Sequence, residues 1–281
     1  MHPLVRQVVD TYLGLVTGVP IEGLYLVGSV ALDDFRPHAS DIDFVAVTRE
    51  PLTDKEIAAL TRVHTALRRR WLHVDRRRPH VDRRRPHVDR RRPHFDGGYV
   101  TWQDLAGDPS RAGTGADAHE GRLTRRAAGR GDPIAWHTLA GHGVRVRGPR
   151  VADVDVWTDR AVLSAWTHRN LDEYWRVWLT RSSRLLSPHG LACVIPRGPV
   201  WGVLGVSRLH YTLATGGITS KRGAGEYARD AFDRRWRRIV DECLRLRAAA
   251  TGSARYRNPF TRRRDALDFV AMAIEDAHRL V

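Results

Sequence analysis

The run Asp41-Ile42-Asp43-Phe44 sets two carboxylates one residue apart in an alternating pattern. On an extended strand successive side chains point to opposite faces, so Asp41 and Asp43 share one side while Ile42 enters the core. Two carboxylates about 7 Å apart along one face form a seat for a hard divalent cation, and magnesium favours oxygen ligands completed by substrate phosphates. A dozen residues earlier, the apolar run 23–27 breaks at Gly28-Ser29. Glycine lets a backbone come close to a phosphate, and serine offers a hydroxyl and an amide to the same anion. Each feature alone is commonplace, since a Gly-Ser pair is usually just a turn and paired aspartates are usually a solvated strand end. In series they place a cation seat beside a phosphate cradle.

Two strands and a turn must hold these groups. Residues 23–27, GLYLV, read as a buried strand ending in a turn, residues 41–48 as a second strand, and 98–102, GYVTW, as a third. Residues 2–16 read as a helix with Leu4, Val8, Tyr12 and Val16 on one face. Thr53-Asp54 caps another helix from about Lys55 to Arg70, with Ile57, Leu60, Val63, His64 and Leu67 at helical spacing. Residues 106–132, rich in Gly, Asp and Arg, read as a mobile loop, and 133–149 as a short helix followed by a strand-like VRVR. Beyond about 150 the pattern is helical throughout, with helices expected near 158–186, 200–215, 222–249 and 262–280. Strands with helices first, then helices alone, imply an α+β domain over 1–150 followed by an all-α bundle over 151–281.

A chain of 281 residues with 42% hydrophobic residues and nine Trp has enough apolar surface for two folded domains, which excludes a disordered chain. Cys193 and Cys243 are too few for a disulfide framework and lack zinc-ligand spacing, so both read as buried thiols. The N-terminal stretch lacks a signal peptide's apolar run, and no segment is apolar enough to span a membrane. A cytoplasmic, monomeric protein is expected.

The net charge of +15 is a weaker clue than it looks. Only Lys55 and Lys221 among the 47 basic residues are lysines. Residues 73–79, 80–86 and 87–93 are three identical copies of HVDRRRP, which together supply six of the fifteen net charges. Proline at every seventh position forbids a continuous helix and makes this an exposed insertion. The array is the basis of an alternative function, binding of nucleic acid or another polyanion, because arginine clusters neutralise phosphates without sequence preference. It lacks the interleaved aromatics that stack on bases, so nucleic acid is not the expected partner. A metal role for His73, His80 and His87 is disfavoured, since seven extended residues separate them by about 20 Å.

Val27-Gly28-Ser29 followed by Asp41-Ile42-Asp43-Phe44 resembles the motif pair of the nucleotidyltransferase superfamily, whose fold is related to that of polymerase beta. The segment 208–221, RLHYTLATGGITSK, resembles the helical C-terminal domain of the aminoglycoside adenylyltransferases that modify streptomycin and spectinomycin. The resemblance runs from about 20 to 280, excluding the repeat. It implies an N-terminal nucleotidyltransferase domain and a helical second domain. The implied activity is magnesium-dependent transfer of AMP from ATP to a hydroxyl of a small molecule, an aminoglycoside being the first choice of acceptor. It further implies that Asp41 and Asp43 hold magnesium and that Gly28, Ser29, Ser40, Arg208 and Lys221 surround the triphosphate. Asp96 falls where the family places its catalytic glutamate, as the proton acceptor; the other reading of Asp96 is a turn residue opening a hairpin.

Two departures bear on the acceptor. The family grips a polycationic sugar with acidic and aromatic side chains leading into the arginine-bearing helix, yet residues 188–207 contain no Asp or Glu. Trp201 has the surface to stack on a sugar, with core packing as the plainer role, and Asp172, Glu173, Glu226 or Asp230 would have to supply charge. Asp96 is also one methylene shorter than a glutamate. A non-aminoglycoside acceptor is therefore kept as an alternative.

Overall fold

Leu24 and Leu26 alternate with Tyr25 and Val27, and Phe44 and Ala46 with Val45 and Val47. Strands apolar on both sides need cover on both faces. In the computed structural model, which describes residues 1–37, 39–74, 93–127, 132–250 and 253–280, that cover is present. The chain divides into two units, Met1–Thr158 and Asp159–Val281. The first contains α1 (Pro3–Leu15), β1 (Gly23–Leu26), α2 (Gly28–Ala31), β2 (Ile42–Thr48), α3 (Asp54–Val74), β3 (Phe95–Thr101), α4 (Trp102–Leu105), β4 (Thr114–His119), β5 (Arg122–Ala127), α5 (Pro133–His142) and β6 (Val144–Arg147).

The six strands form one sheet in the order β5-β4-β3-β2-β1-β6. Only β2 and β3 run parallel, a pairing that requires a crossover, and α3 lies in it. Val5, Val8, Val9 and Tyr12 of α1, with Leu60, Val63 and Leu67 of α3, pack against the face bearing Leu24, Leu26, Ile42, Phe44, Phe95 and Tyr99. The opposite face, with Tyr25, Val27, Val45, Val47 and Val100, is covered by Leu105, Trp136 and Leu139. Residues 151–157 join this second layer, where the Trp157 N–H donates to the Leu105 carbonyl at 2.9 Å. Thr53 and Glu56 cap α3 reciprocally: the Thr53 N–H donates to Glu56 Oε2 at 2.8 Å, and the Glu56 N–H donates to Thr53 Oγ1 at 3.3 Å.

Two expectations fail in this unit. Residues 106–132 are not simply a loop, because β4 and β5 pair as a hairpin from Thr114↔Ala127 to His119↔Arg122. The third strand starts at Phe95, whose ring stacks on Phe44 at 4.3 Å between centroids, so Asp96 lies inside a parallel strand and opens no hairpin. Residues 75–92, most of the HVDRRRP repeat with His80 and His87, lie outside the described residues, so the expectations placed on them do too.

The second unit is helical: α6 (Arg160–Asn170), a π-helical stretch (Leu171–Arg176), α7 (Val177–Ser183), α8 (Pro188–Ala192), α9 (Arg197–Thr215), α10 (Lys221–Ala231), α11 (Arg237–Arg247) and α12 (Pro259–Ala277). Apolar nearly all round, α9 is the central helix, and its Val203, Leu204, Val206 and Leu209 share a core with Ile239, Val240, Phe269, Val270 and Ile274. The single helix expected over 222–249 is broken after Ala231, where the Asp233 side chain accepts the Arg235 N–H at 2.9 Å and starts a new helical turn. Cys193 and Cys243 are buried free thiols. Glu242 is fully buried; burial pushes its carboxyl up, but the two-pronged bond from Arg245 (2.8 and 2.9 Å) and the Arg255 N–H hold it below its ordinary value. Among the described residues, no helix is long and apolar enough to cross a membrane.

Under the first sheet face, Tyr12, Tyr99 and His64 form a buried chain, with Tyr12 and Tyr99 hydroxyls at 2.9 Å and Tyr99 Oη to His64 Nε2 at 2.8 Å. Burial holds the His64 imidazole down at about 4, so the ring is neutral at neutral pH. The unfolded chain takes up a proton near 6.5 that the folded chain refuses until about 4. Stability from this group is therefore complete above 6.5 and is lost as pH falls to 4. In thermal melts across that window the wild type is expected to lose about 3 kcal/mol more than His64→Gln, which does not titrate.

Candidate active site

The β2–β3 register pairs Asp43 with Asp96 across parallel strands, so both side chains leave the sheet on the face opposite Phe44 and Phe95. Asp41 stands just before β2, and its Oδ1 accepts the His94 N–H at 3.1 Å, which ties the entrances of the two strands together. Gly28 follows β1 with φ of +57°, where an L side chain is strained, and a Cβ there would overlap the Asp43 carboxylate. Any other residue would push the carboxylate away. Ser29 lies in the same turn, and its hydroxyl donates to the Asp41 carbonyl at 3.4 Å. Ser40 closes the preceding loop, its Oγ accepting the Arg36 N–H at 3.1 Å.

Asp96 is held away from its ordinary value. Burial pushes its carboxyl up to about 6, the Asp41 charge pushes the same way, and His119, His94 and the Glu120 N–H pull it back. Its Oδ2 lies 3.1 Å from His119 Nδ1, and its Oδ1 accepts the Glu120 N–H at 2.9 Å. Both partners come from the β4–β5 hairpin, whose two-residue turn, Glu120-Gly121, has positive φ at both positions. Asp117 of β4, paired with Gly98, adds a fourth carboxylate to this sheet face. His119, Glu120 and Asp117 were hidden within a segment read as a loop. The signal that marks them is the alternation Ala116, Ala118 against Asp117, His119 ahead of Glu120-Gly121.

A carboxylate that titrates near 6 is deprotonated at neutral pH yet basic enough to accept a proton from a hydroxyl. Among the described residues, no three His, Cys, Asp or Glu side chains form a ready-made cage for a metal ion. Magnesium does not need one: it retains waters and substrate phosphates and takes one or two protein carboxylates. The Asp41–Asp43 pair fits that donor set, and the upward push of Asp41 on Asp96 shows an excess of negative charge that a cation would relieve.

Arg208 and Lys221 belong to the second unit. Trp201, Gly205 and Arg208 follow i, i+4, i+7 spacing and lie along one face of α9. After the left-handed C-cap at Gly216 the chain reaches Ser220, whose Oγ accepts the Gly223 N–H at 3.0 Å and makes Lys221 the first residue of α10. The Lys221 ammonium lies 4.5 Å from the centre of the Trp201 ring. His210 joins three helices, with Nδ1 2.8 Å from the Tyr227 hydroxyl and Nε2 3.0 Å from Asp276. At 42% exposure Trp201 is not a core residue.

Residues 14–75 match the nucleotidyltransferase domain family, and residues 172–266 match the C-terminal domain of aminoglycoside adenylyltransferases. The chain is an aminoglycoside adenylyltransferase-like protein. The first matched segment contains Gly28, Ser29, Asp41 and Asp43, and the second contains Arg208 and Lys221. Among solved structures, the adenylyltransferase-like chain is similar in fold to spectinomycin adenyltransferase AAD(9) from Enterococcus faecialis, solved with ATP and spectinomycin. The TM-score is 0.64 at 12% identity, over 96% of this chain and 99% of that one. No curated protein sequence matches the chain. The α+β nucleotidyltransferase domain and helical second domain thus stand, and the protein is an enzyme of the adenylyltransferase kind.

Because the fold holds Asp96 at a raised value, the negative form is disfavoured and wild-type stability falls as pH rises from about 4 to about 6. Asp96→Asn removes that penalty. In metal-free buffer at pH 8 it is expected to be about 1–3 kcal/mol more stable than wild type, with the gap closing below pH 4. Thermal melts of the two proteins across pH test it.

Proposed function

We propose that the enzyme transfers AMP from magnesium-ATP to a hydroxyl of a small molecule of the aminoglycoside type. The observation that carries this reading is the Asp43↔Asp96 register, which sets a basic carboxylate beside a pair able to hold a divalent cation. Asp41 and Asp43 would hold magnesium, which when bound neutralises charge on the α-phosphate and the departing pyrophosphate. The Gly28 backbone and the Ser29 and Ser40 hydroxyls are assigned to the triphosphate, and so are Arg208 and Lys221. Asp96 takes the proton of the acceptor hydroxyl while its oxygen bonds to the α-phosphorus and the bond from that phosphorus to pyrophosphate breaks. His119 and the Glu120 N–H keep the Asp96 carboxylate aimed during this transfer.

The placement of Lys221 supports its share in this task. A cation at the first position of a helix opposes the helix dipole, at a cost of about 0.3–1 kcal/mol, and an anion bound there removes the conflict. The spectinomycin held by the similar structure supports an acceptor of the aminoglycoside type. A second reading, with an acceptor that is not a polycation, is favoured by the absence of any acid over residues 188–207.

Pyrophosphate release from magnesium-ATP, measured with streptomycin, spectinomycin and a panel of uncharged hydroxyl compounds, tests the proposal and separates the two acceptor readings. Asp43→Ala is expected to lower release by roughly 100-fold or more. Lys221→Ala is expected to raise KM for ATP by roughly 10-fold through loss of a charge-assisted contact. Undiminished release in Asp43→Ala would remove the cation seat from the reaction.

A further inference from the structure

The aromatic groups around Trp201 form a built arrangement that core packing does not explain. The Trp201 indole N–H donates to the Tyr174 hydroxyl at 3.1 Å, although both rings are more than two-fifths exposed. Its ring also lies 6.0 Å from that of Trp175, which is buried. Trp175 is seated in turn because Gly205 has no side chain: a Cβ there would overlap the indole. The Trp201 ring is thus pinned at one edge by a hydrogen bond and braced by a buried neighbour, and the Lys221 ammonium lies against it.

A lysine ammonium on a four-carbon stem normally samples many rotamers, and fixing it costs entropy when a ligand arrives. At the start of α10 the helix dipole also pushes it away. An indole face attracts a cation through its quadrupole and offsets both effects.

We propose that Trp201 is a positioning residue for Lys221, its ring holding the ammonium at the N-terminus of α10 before the nucleotide arrives so that the triphosphate meets an ordered cation. The inference rests on the reading of Lys221 as a phosphate contact. It assigns Trp201 to nucleotide affinity and not to stacking on the acceptor.

A double-mutant cycle on the full-length protein tests it, with the dissociation constant of magnesium α,β-methylene-ATP measured by calorimetry. Trp201→Leu keeps an apolar side chain but removes the π face, and is expected to weaken binding about 3-fold. In a Lys221→Met background the same change is expected to do nothing, because the ring then has no cation to hold. Trp201→Phe, which keeps an aromatic face, is expected to restore most of the affinity lost in Trp201→Leu. If Lys221→Met weakens binding but Trp201→Leu does not, tightens it, or acts equally in both backgrounds, positioning by Trp201 is wrong while the phosphate role of Lys221 stands. If Lys221→Met leaves affinity unchanged, the phosphate reading fails and takes the proposal with it.

Discussion

Like charges held close together are the constraint on which the first unit is built. Asp41, Asp43 and Asp96 are gathered at one place on the sheet, where burial first and the Asp41 charge second raise the Asp96 carboxyl. The parallel β2–β3 ladder fixes Asp43 opposite Asp96, the His94 N–H fixes Asp41, and Gly28 yields the space that the Asp43 carboxylate fills. Everything else in the unit serves to keep that ladder in register. Phe44 stacks on Phe95, α1 and α3 cover one face, and Trp136 and Leu139 cover the other. A one-residue slip would turn Asp96 toward Phe44 and bring Phe95 or Gly97 to the acids, so the apolar pattern and the chemistry are specified by the same contacts.

The second unit keeps a different kind of order. Its core is apolar, but three helices meet at His210, where burial pulls the imidazole down despite the opposing influence of Asp276, and the bonds to Tyr227 and Asp276 fix its ring. Glu242 does similar work under Arg245 and the Arg255 N–H. Buried polar groups with every partner in place rigidify the helices that carry them, and here those helices include α9 and α10, the carriers of Arg208 and Lys221.

What the sequence disclosed and what it hid follow from how each element is stabilised. β1, β2, α1 and α3 declare themselves because apolar residues recur at their own periods. The paired aspartates and the Gly-Ser turn were legible for the same reason, since a strong strand pattern fixes which way Asp41 and Asp43 point. The β4–β5 hairpin was not legible: its inward residues are Ala116 and Ala118, too small to stand out, and its turn is Glu-Gly, not one of the strong turn pairs. His119 was lost with it. The start of β3 was misplaced because Asp96 and two glycines look like a turn, whereas pairing along β2 overrides that local preference. Trp201 lay in an apolar helix and read as core, since no pattern in the chain announces that Lys221 comes back to meet it.

The β2–β3 crossover has a bearing on the seven-residue repeat that lies within it. Helix α3 reaches Val74 already packed through Leu60, Val63 and Leu67, and the chain is anchored again at His94 by its bond to Asp41. Both ends of the intervening stretch are therefore fixed by contacts that do not involve it. For any flexible connection between two such anchors the closure free energy grows only with the logarithm of length, so seven residues more or fewer would change it by less than about 1 kcal/mol. The position of the acids therefore rests on the anchors at Leu60, Val63 and Leu67 and at His94, and not on the number of HVDRRRP copies between them.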